Sequence, residues 1–187
     1  MEILYEISNK LLGASSMKFI RSLYHEINWE AGLIEIRGAR GVGKTTLIRQ
    51  KAKELRDEGK NVLYISLDNP YFYNHSLIEA AEYHEKYGGN YLFIDEVHKY
   101  PSKQKGYDWS SEVKYLYDHN PGLKVIYTGS SVIGLYKGKG DLSRRKSAYY
   151  LPGLSFREYL GLNGIFSHSV TDVDAIMKAH EAIAGGI

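Results

Sequence analysis

Residues 38–45, Gly-Ala-Arg-Gly-Val-Gly-Lys-Thr, constrain this chain more than any other stretch. They satisfy the pattern G-x-x-x-x-G-K-[ST] at every required position and follow directly on the apolar run LIEI. Each residue type has a physical reason to be there. Glycines let a loop fold back on itself and bring backbone N–H groups close to phosphate oxygens. A helix opening at Lys44-Thr45 aims free N–H groups and the positive end of its dipole at the same point. Lys44 can reach the β- and γ-phosphates of a nucleotide, and the Thr45 hydroxyl is a hard-oxygen ligand for Mg²⁺. Such a match arises by chance in about one chain in a hundred of this length. The strand signal before it and the helix signal after it lower that figure much further. Gly38, Ala39, Arg40, Gly41, Val42, Gly43, Lys44, Thr45 and the following Thr46 are therefore the candidate nucleotide-binding residues, with Thr45 also a metal ligand.

From about residue 31 the chain alternates short apolar runs with amphipathic stretches, which argues for a parallel sheet flanked by helices. Strands are expected over 33–37, 62–67, 91–95, 124–128 and 147–151, all rich in Val, Ile, Leu, Phe or Tyr. Helices are expected over 45–58, ending at Gly59, over 76–87, ending at Gly88-Gly89, and over 110–119, ahead of Asn120-Pro121-Gly122. A further helix is expected over 15–28, where Phe19, Ile20, Leu23, Tyr24 and Ile27 fall on one stripe and Ser15 or Ser16 can cap the start. The polar basic stretches PSKQKGY (101–107) and KGKG (137–140) read as surface loops.

A second motif supports the first. Tyr91-Leu92-Phe93-Ile94 is followed by two carboxylates, Asp95 and Glu96. In a nucleotide-binding parallel sheet, ligands sit beyond the carboxyl ends of the strands. Asp95 would emerge there beside the phosphate loop, able to hold Mg²⁺ through water, and Glu96 would be set to orient and deprotonate an attacking water. A glutamate in that position favours hydrolysis over phosphoryl transfer to an acceptor. The run Thr128-Gly129-Ser130-Ser131 brings a hydroxyl toward the γ-phosphate, and Thr128 and Ser130 remain alternatives for that contact. Arg144 and Arg145 precede the last strand; either could neutralise transition-state charge, in its own chain or in a neighbouring subunit. Arg40 and His98 lie close enough in sequence to face the nucleotide.

Composition closes off other chemistries. The 187 residues contain no cysteine, so disulfides, Cys-based zinc sites and thiol nucleophiles are excluded. The seven histidines form no metal-ligand spacing, and no G-x-S-x-G elbow is present. No apolar run approaches the roughly 18 residues that span a bilayer, and the N-terminus lacks the pattern of a secretory signal, so a cytoplasmic protein is expected. With 24 basic and 22 acidic residues, charge supplies no argument for nucleic acid.

Taken together, GARGVGKTTLIRQ (38–50), YLFIDEVHKYP (91–101), YTGSS (127–131), DLSRR (141–145) and LPGLSFREYL (151–160) resemble the AAA-type ATPase module of a prokaryotic ATP-binding family whose full-length members carry a C-terminal domain of unknown function. The resemblance implies a three-layer P-loop NTPase with a five-stranded parallel sheet, helices on both faces, and the YTGSS strand between the phosphate-loop strand and the Asp95-Glu96 strand. By position, Lys44 and Thr45 match Walker A, and Asp95 and Glu96 match Walker B. Thr128 to Ser131 match the sensor-1 neighbourhood, and Arg144 or Arg145 matches an arginine finger. Residues 1–30 are then a helical lead-in, 31–165 the ATPase core, and 166–187 the start of a helical region, with the lid and C-terminal domain expected beyond it. The stretch between Pro101 and Trp109 is longer than the family's tight turn.

The function expected is an ATPase with ATP/ADP and Mg²⁺ as cofactors that drives or gates a conformational change; a homo-oligomer is an open expectation, since the chain does not state its oligomeric state. A nucleotide-gated switch with negligible turnover is the alternative, and a nucleic-acid-acting motor is the third.

Overall fold

Five runs of β-branched and aromatic residues pair into one sheet. They are β1 Leu33–Gly38, β2 Val62–Ser66, β3 Tyr91–Asp95, β4 Lys124–Ser130 and β5 Ser147–Tyr150. The computed structural model describes residues 1–101, 108–130 and 142–164. The strand order is β2-β3-β4-β1-β5, and every neighbouring pair is parallel. β4 thus separates β1 from β3, the order that the resemblance implied.

Side chains alternate between two apolar layers, as the pleat requires. Leu33, Leu63, Leu92 and Val125 join one core cluster, and Ile34, Tyr64, Phe93 and Ile126 the other. Helix α2 (Lys44–Asp57) covers the second face with Leu47, Ile48 and Ala52. Helices α3 (Leu77–Lys86) and α4 (Trp109–His119) cover the first with Leu77, Ala80, Val113 and Leu116. The starts of α3 and α4 are fixed by side chains. Ser76 and Glu79 form a reciprocal capping box, and the Asp108 carboxylate accepts from the N–H groups of Ser110 and Ser111.

The N-terminal segment departs from the expected pattern. The helix, α1, spans Glu2–Gly13, and residues 15–28 hold only one 3₁₀ turn, Ser22–His25. Tertiary bonds explain the difference. Gln50 Nε2 donates to the carbonyls of Ser16 and Phe19, each at 2.8 Å, so those oxygens are taken from the ladder a helix would need. Arg21 is extended, with φ −69° and ψ 146°. Tyr24 and Ile27 still reach the α2 side of the core, so the apolar stripe is real while its periodicity is not helical. Helix α1 packs against β2 and α2. Its Ser8 hydroxyl accepts the Tyr64 N–H at 3.0 Å, pairing a donor on an edge strand that would otherwise be a template for another chain.

The chain divides into two units, Met1–Pro152 and Gly153–Ile187. The described part of the second contains α5, Phe156–Leu162, started by a capping box of Ser155 and Glu158. The basic stretches at 102–107 and 137–140, Ser131 and the whole of 166–187 lie outside the described residues. No helix among the described residues is long and apolar enough to cross a membrane.

Candidate functional site

At the carboxyl end of β1 the chain must turn sharply into α2. Gly41 and Gly43 do so with φ of 84° and 98°, the left-handed region that disfavours side chains. Gly38 is needed for a different reason: a Cβ there would collide with the Leu151 carbonyl oxygen. Gly43 is the N-cap of α2 and has no side chain to offer, so no side chain caps this helix. Uncapped N–H groups at a helix start are an anion-binding arrangement. Lys44 lies over the same loop, its ammonium donating to the carbonyls of Gly38 at 2.9 Å and Ala39 at 2.8 Å. Burial pushes the Lys44 pKa down, opposed by the nearby Glu96 and Asp95 carboxylates.

The acidic pair emerges from β3 beside this loop. Asp95 is buried and held at both oxygens. Thr128 donates its hydroxyl to Oδ1, the Glu96 N–H reaches Oδ1 at 3.1 Å, and the Tyr64 hydroxyl reaches Oδ2 at 2.8 Å. Burial, and then the Asp95 charge, push the Tyr64 phenol pKa up, which keeps it a donor. The Arg49 guanidinium stands 4.7 Å from the Tyr64 ring centroid. Glu96 has φ 54°, and among the described residues it is the only non-glycine residue with positive φ. Such a backbone costs about 1–3 kcal/mol and persists where the surroundings demand it. Here the turn sends the Glu96 carboxylate into the cleft, where His98 Nε2 meets it at 3.0 Å.

Phosphate loop and acidic pair line one cleft of about 840 Å³, together with Arg49, Tyr64, Asp68 and His98. Arg40, Gly41, Gly43, Lys44 and Thr45 line it from the loop side, whereas Gly38, Ala39, Val42 and Thr46 do not. The described residues contain no group of three or more His, Asp or Glu that could cage a metal. A Mg²⁺ ion carried by a nucleotide takes one or two protein oxygens and fills its other positions with phosphate and water. Thr45 and Asp95 are such oxygens, and the two fit that ion.

Other sequence candidates lie elsewhere. Thr128 is fully buried and is turned to Asp95, away from the cleft lining. The Ser130 side chain lies outside the described residues. Arg144 and Arg145 precede β5, whose first residue, Ser147, stands opposite Ile34 near the start of β1, whereas the phosphate loop leaves the far end of β1. The structure therefore does not bring them to the cleft of their own chain. Arg145 pairs with Asp118 at 2.8 Å, and Arg144 is exposed, with no ion pair among the described residues. Tyr64 and Arg49, which line the cleft, were not among the sequence candidates. Nothing local marks them; the only hint is a phenol inside the buried run Val62-Leu63-Tyr64-Ile65.

A family model described as AAA domain matches residues 30–160, well over half of the chain. The chain belongs to the AAA domain family. Solved structures share the fold of this AAA module at low identity. DnaA from Aquifex aeolicus, solved with AMPPCP, is 18% identical with a TM-score of 0.51, over 88% of this chain and 50% of that one. The S. cerevisiae Hsp104-ADP complex is 19% identical with a TM-score of 0.59, over 83% and 25%. A chain of the E. coli MS115-1 HORMA:CdnC:Trip13 complex is 14% identical with a TM-score of 0.52, over 96% and 72%. The module spans half the length of that DnaA chain and a quarter of that Hsp104 chain. No curated protein sequence matches it.

Proposed function

We propose that this AAA module binds ATP with Mg²⁺ and hydrolyses it to drive or gate a conformational change. The observation that carries the reading is the shared cleft: an uncapped helix start with Lys44 on one side, and Asp95 with Glu96 on the other. Nucleotides in the solved DnaA and Hsp104 structures support it by analogy of fold.

Each residue then has a defined task. The N–H groups from Gly41 to Thr46 surround the phosphates, and Lys44 leaves the Gly38 and Ala39 carbonyls to neutralise their charge. Thr45 and Asp95 would hold Mg²⁺, which would supply neutralisation of phosphate charge. Thr128 and Tyr64 keep the Asp95 carboxylate oriented. Glu96 accepts a hydrogen bond from a water and takes its proton as the water attacks the γ-phosphorus, while the bond from that phosphorus to the bridging oxygen breaks and ADP leaves with the electron pair. Arg144, exposed and with no ion pair among the described residues, is the better suited of the two arginines to reach a nucleotide in a neighbouring copy.

The resting contacts favour a second reading, a nucleotide-gated switch with little turnover. Glu96 is tied to His98, and Lys44 to its own loop, so both must be released before chemistry. Calorimetry and phosphate release separate the two readings. Lys44→Ala is expected to abolish ATP binding, and Glu96→Gln to keep binding while losing turnover. Equal ATP affinity in wild type and Lys44→Ala would overturn the assignment; binding without measurable turnover in wild type would favour the switch.

A further inference from the structure

The peptide joining Val42 to Gly43 is where the phosphate loop becomes helix. The Gly43 carbonyl accepts the Leu47 N–H at 2.9 Å, opening α2, while Gly43 itself has φ 98°. On the other side of that peptide stands Arg21, from the extended segment before β1. Its Nη1 donates to the Val42 carbonyl at 2.7 Å and its Nη2 to the Pro152 carbonyl at 2.8 Å. Arg21 is only 6% exposed, so both bonds are shielded from water.

A trans peptide points its C=O and N–H in opposite directions. Fixing the Val42 oxygen on Arg21 therefore turns the Gly43 N–H away from Arg21. The cleft lining agrees, since it includes Gly43 and neither Val42 nor Arg21. Among the described residues no acceptor takes the Gly43 N–H. A charged donor on the carbonyl also polarises the peptide and strengthens its N–H as a donor. Left alone, a segment with glycines at 41 and 43 would lose much conformational entropy when a ligand ordered it. A two-point guanidinium clamp orders it beforehand, which is how preorganisation improves affinity.

We propose that Arg21 is a positioning residue for nucleotide binding: its guanidinium fixes the Val42–Gly43 peptide so that the Gly43 N–H faces the phosphates. The inference rests on the ATP-binding reading above. Arg21 touches no phosphate; it acts through the loop backbone.

The test compares wild type, Arg21→Lys, Arg21→Ala and Lys44→Ala by titration with ATP and Mg²⁺. The Gly43 amide is followed in ¹⁵N-labelled protein. Arg21→Ala is expected to weaken ATP binding about tenfold and to remove most of the shift that ATP causes at the Gly43 amide. Arg21→Lys keeps the charge but loses the planar guanidinium fork whose two nitrogens reach the Val42 and Pro152 carbonyls separately, so it should fall between. Affinity and Gly43 shift equal to wild type in Arg21→Lys would reduce Arg21 to a distant charge and overturn the inference; that comparison decides alone if Arg21→Ala does not fold. Wild-type protein that binds no ATP would overturn the underlying reading and this inference with it. Wild-type binding lost in Lys44→Ala but unchanged in both Arg21 variants would overturn only the inference.

Discussion

Asp95 shows what one buried carboxylate demands of its neighbours. Three donors from three segments converge on it, the Thr128 and Tyr64 hydroxyls and the Glu96 N–H. Removing one donor leaves a buried acceptor short of partners, which costs about 1–3 kcal/mol. Thr128→Val keeps the shape and removes the hydroxyl. Urea unfolding of this variant should show a loss of that size. Because Asp95 is proposed to hold Mg²⁺, ATP affinity should fall more with Mg²⁺ present than in its absence. A Thr128 that instead contacted the γ-phosphate would weaken both equally. The strained backbone of Glu96 belongs to the same scale: the chain tolerates φ 54° at a non-glycine residue, and the carboxylate is aimed by it.

At the scale of elements, His84 and Ser8 tie helices to strands. On α3, the His84 imidazole is fully buried; Nε2 donates to the Tyr91 carbonyl of β3 at 3.0 Å, and Nδ1 meets the Tyr5 hydroxyl of α1 at 2.7 Å. Burial is the main cause that lowers its pKa below the usual histidine value, against backbone bonds that raise it. The neutral ring is thus the form that folds. Below about pH 6.5 the unfolded chain takes up a proton that the folded one refuses, so stability falls as pH falls toward the folded pKa and levels off beneath it. Denaturant midpoints from pH 7.5 to 5 should follow that slope, and His84→Gln should flatten it. An unchanged slope in the variant would assign the pH dependence elsewhere. Ser8→Ala leaves the edge N–H of Tyr64 without its acceptor. It should cost about 1 kcal/mol in the same unfolding experiment, with more association at high concentration if the edge becomes available.

For the whole molecule, a ligand that binds only the folded state adds stability by mass action. ATP at about one hundred times its Kd contributes about 2.7 kcal/mol, which for a chain of this size raises Tm by roughly 5–10 °C. The rise should vanish in Lys44→Ala. It should also need Mg²⁺ to reach full size. A rise of equal size in wild type and Lys44→Ala would mean that the nucleotide sits somewhere other than the phosphate loop. The sheet order gives this scale its logic: with β4 between β1 and β3, the loop after β1 and the acidic pair after β3 open onto the same end of the sheet.

How far the chain could be read depends on the range of the forces involved. The phosphate loop, the acidic pair and the five strands were legible because glycine sterics, helix-start chemistry and apolar runs act over a few residues. The helix over 15–28 was misread because its carbonyls are taken by Gln50, which stands in α2. Helix α1 had no comparable signal: it is held by burying Leu4 and Leu12 along the sheet edge. Tyr64 and Thr128 are anonymous in sequence, 31 and 33 residues from the Asp95 that they orient. Arg21 stands 131 residues from the carbonyl at the second end of its clamp. The sequence by itself determined the fold class and marked the loop proposed to hold phosphate, since both are written in local backbone and charge requirements. Only the tertiary structure decided what aims each group, because a buried polar atom must take its partner from whatever the fold brings beside it.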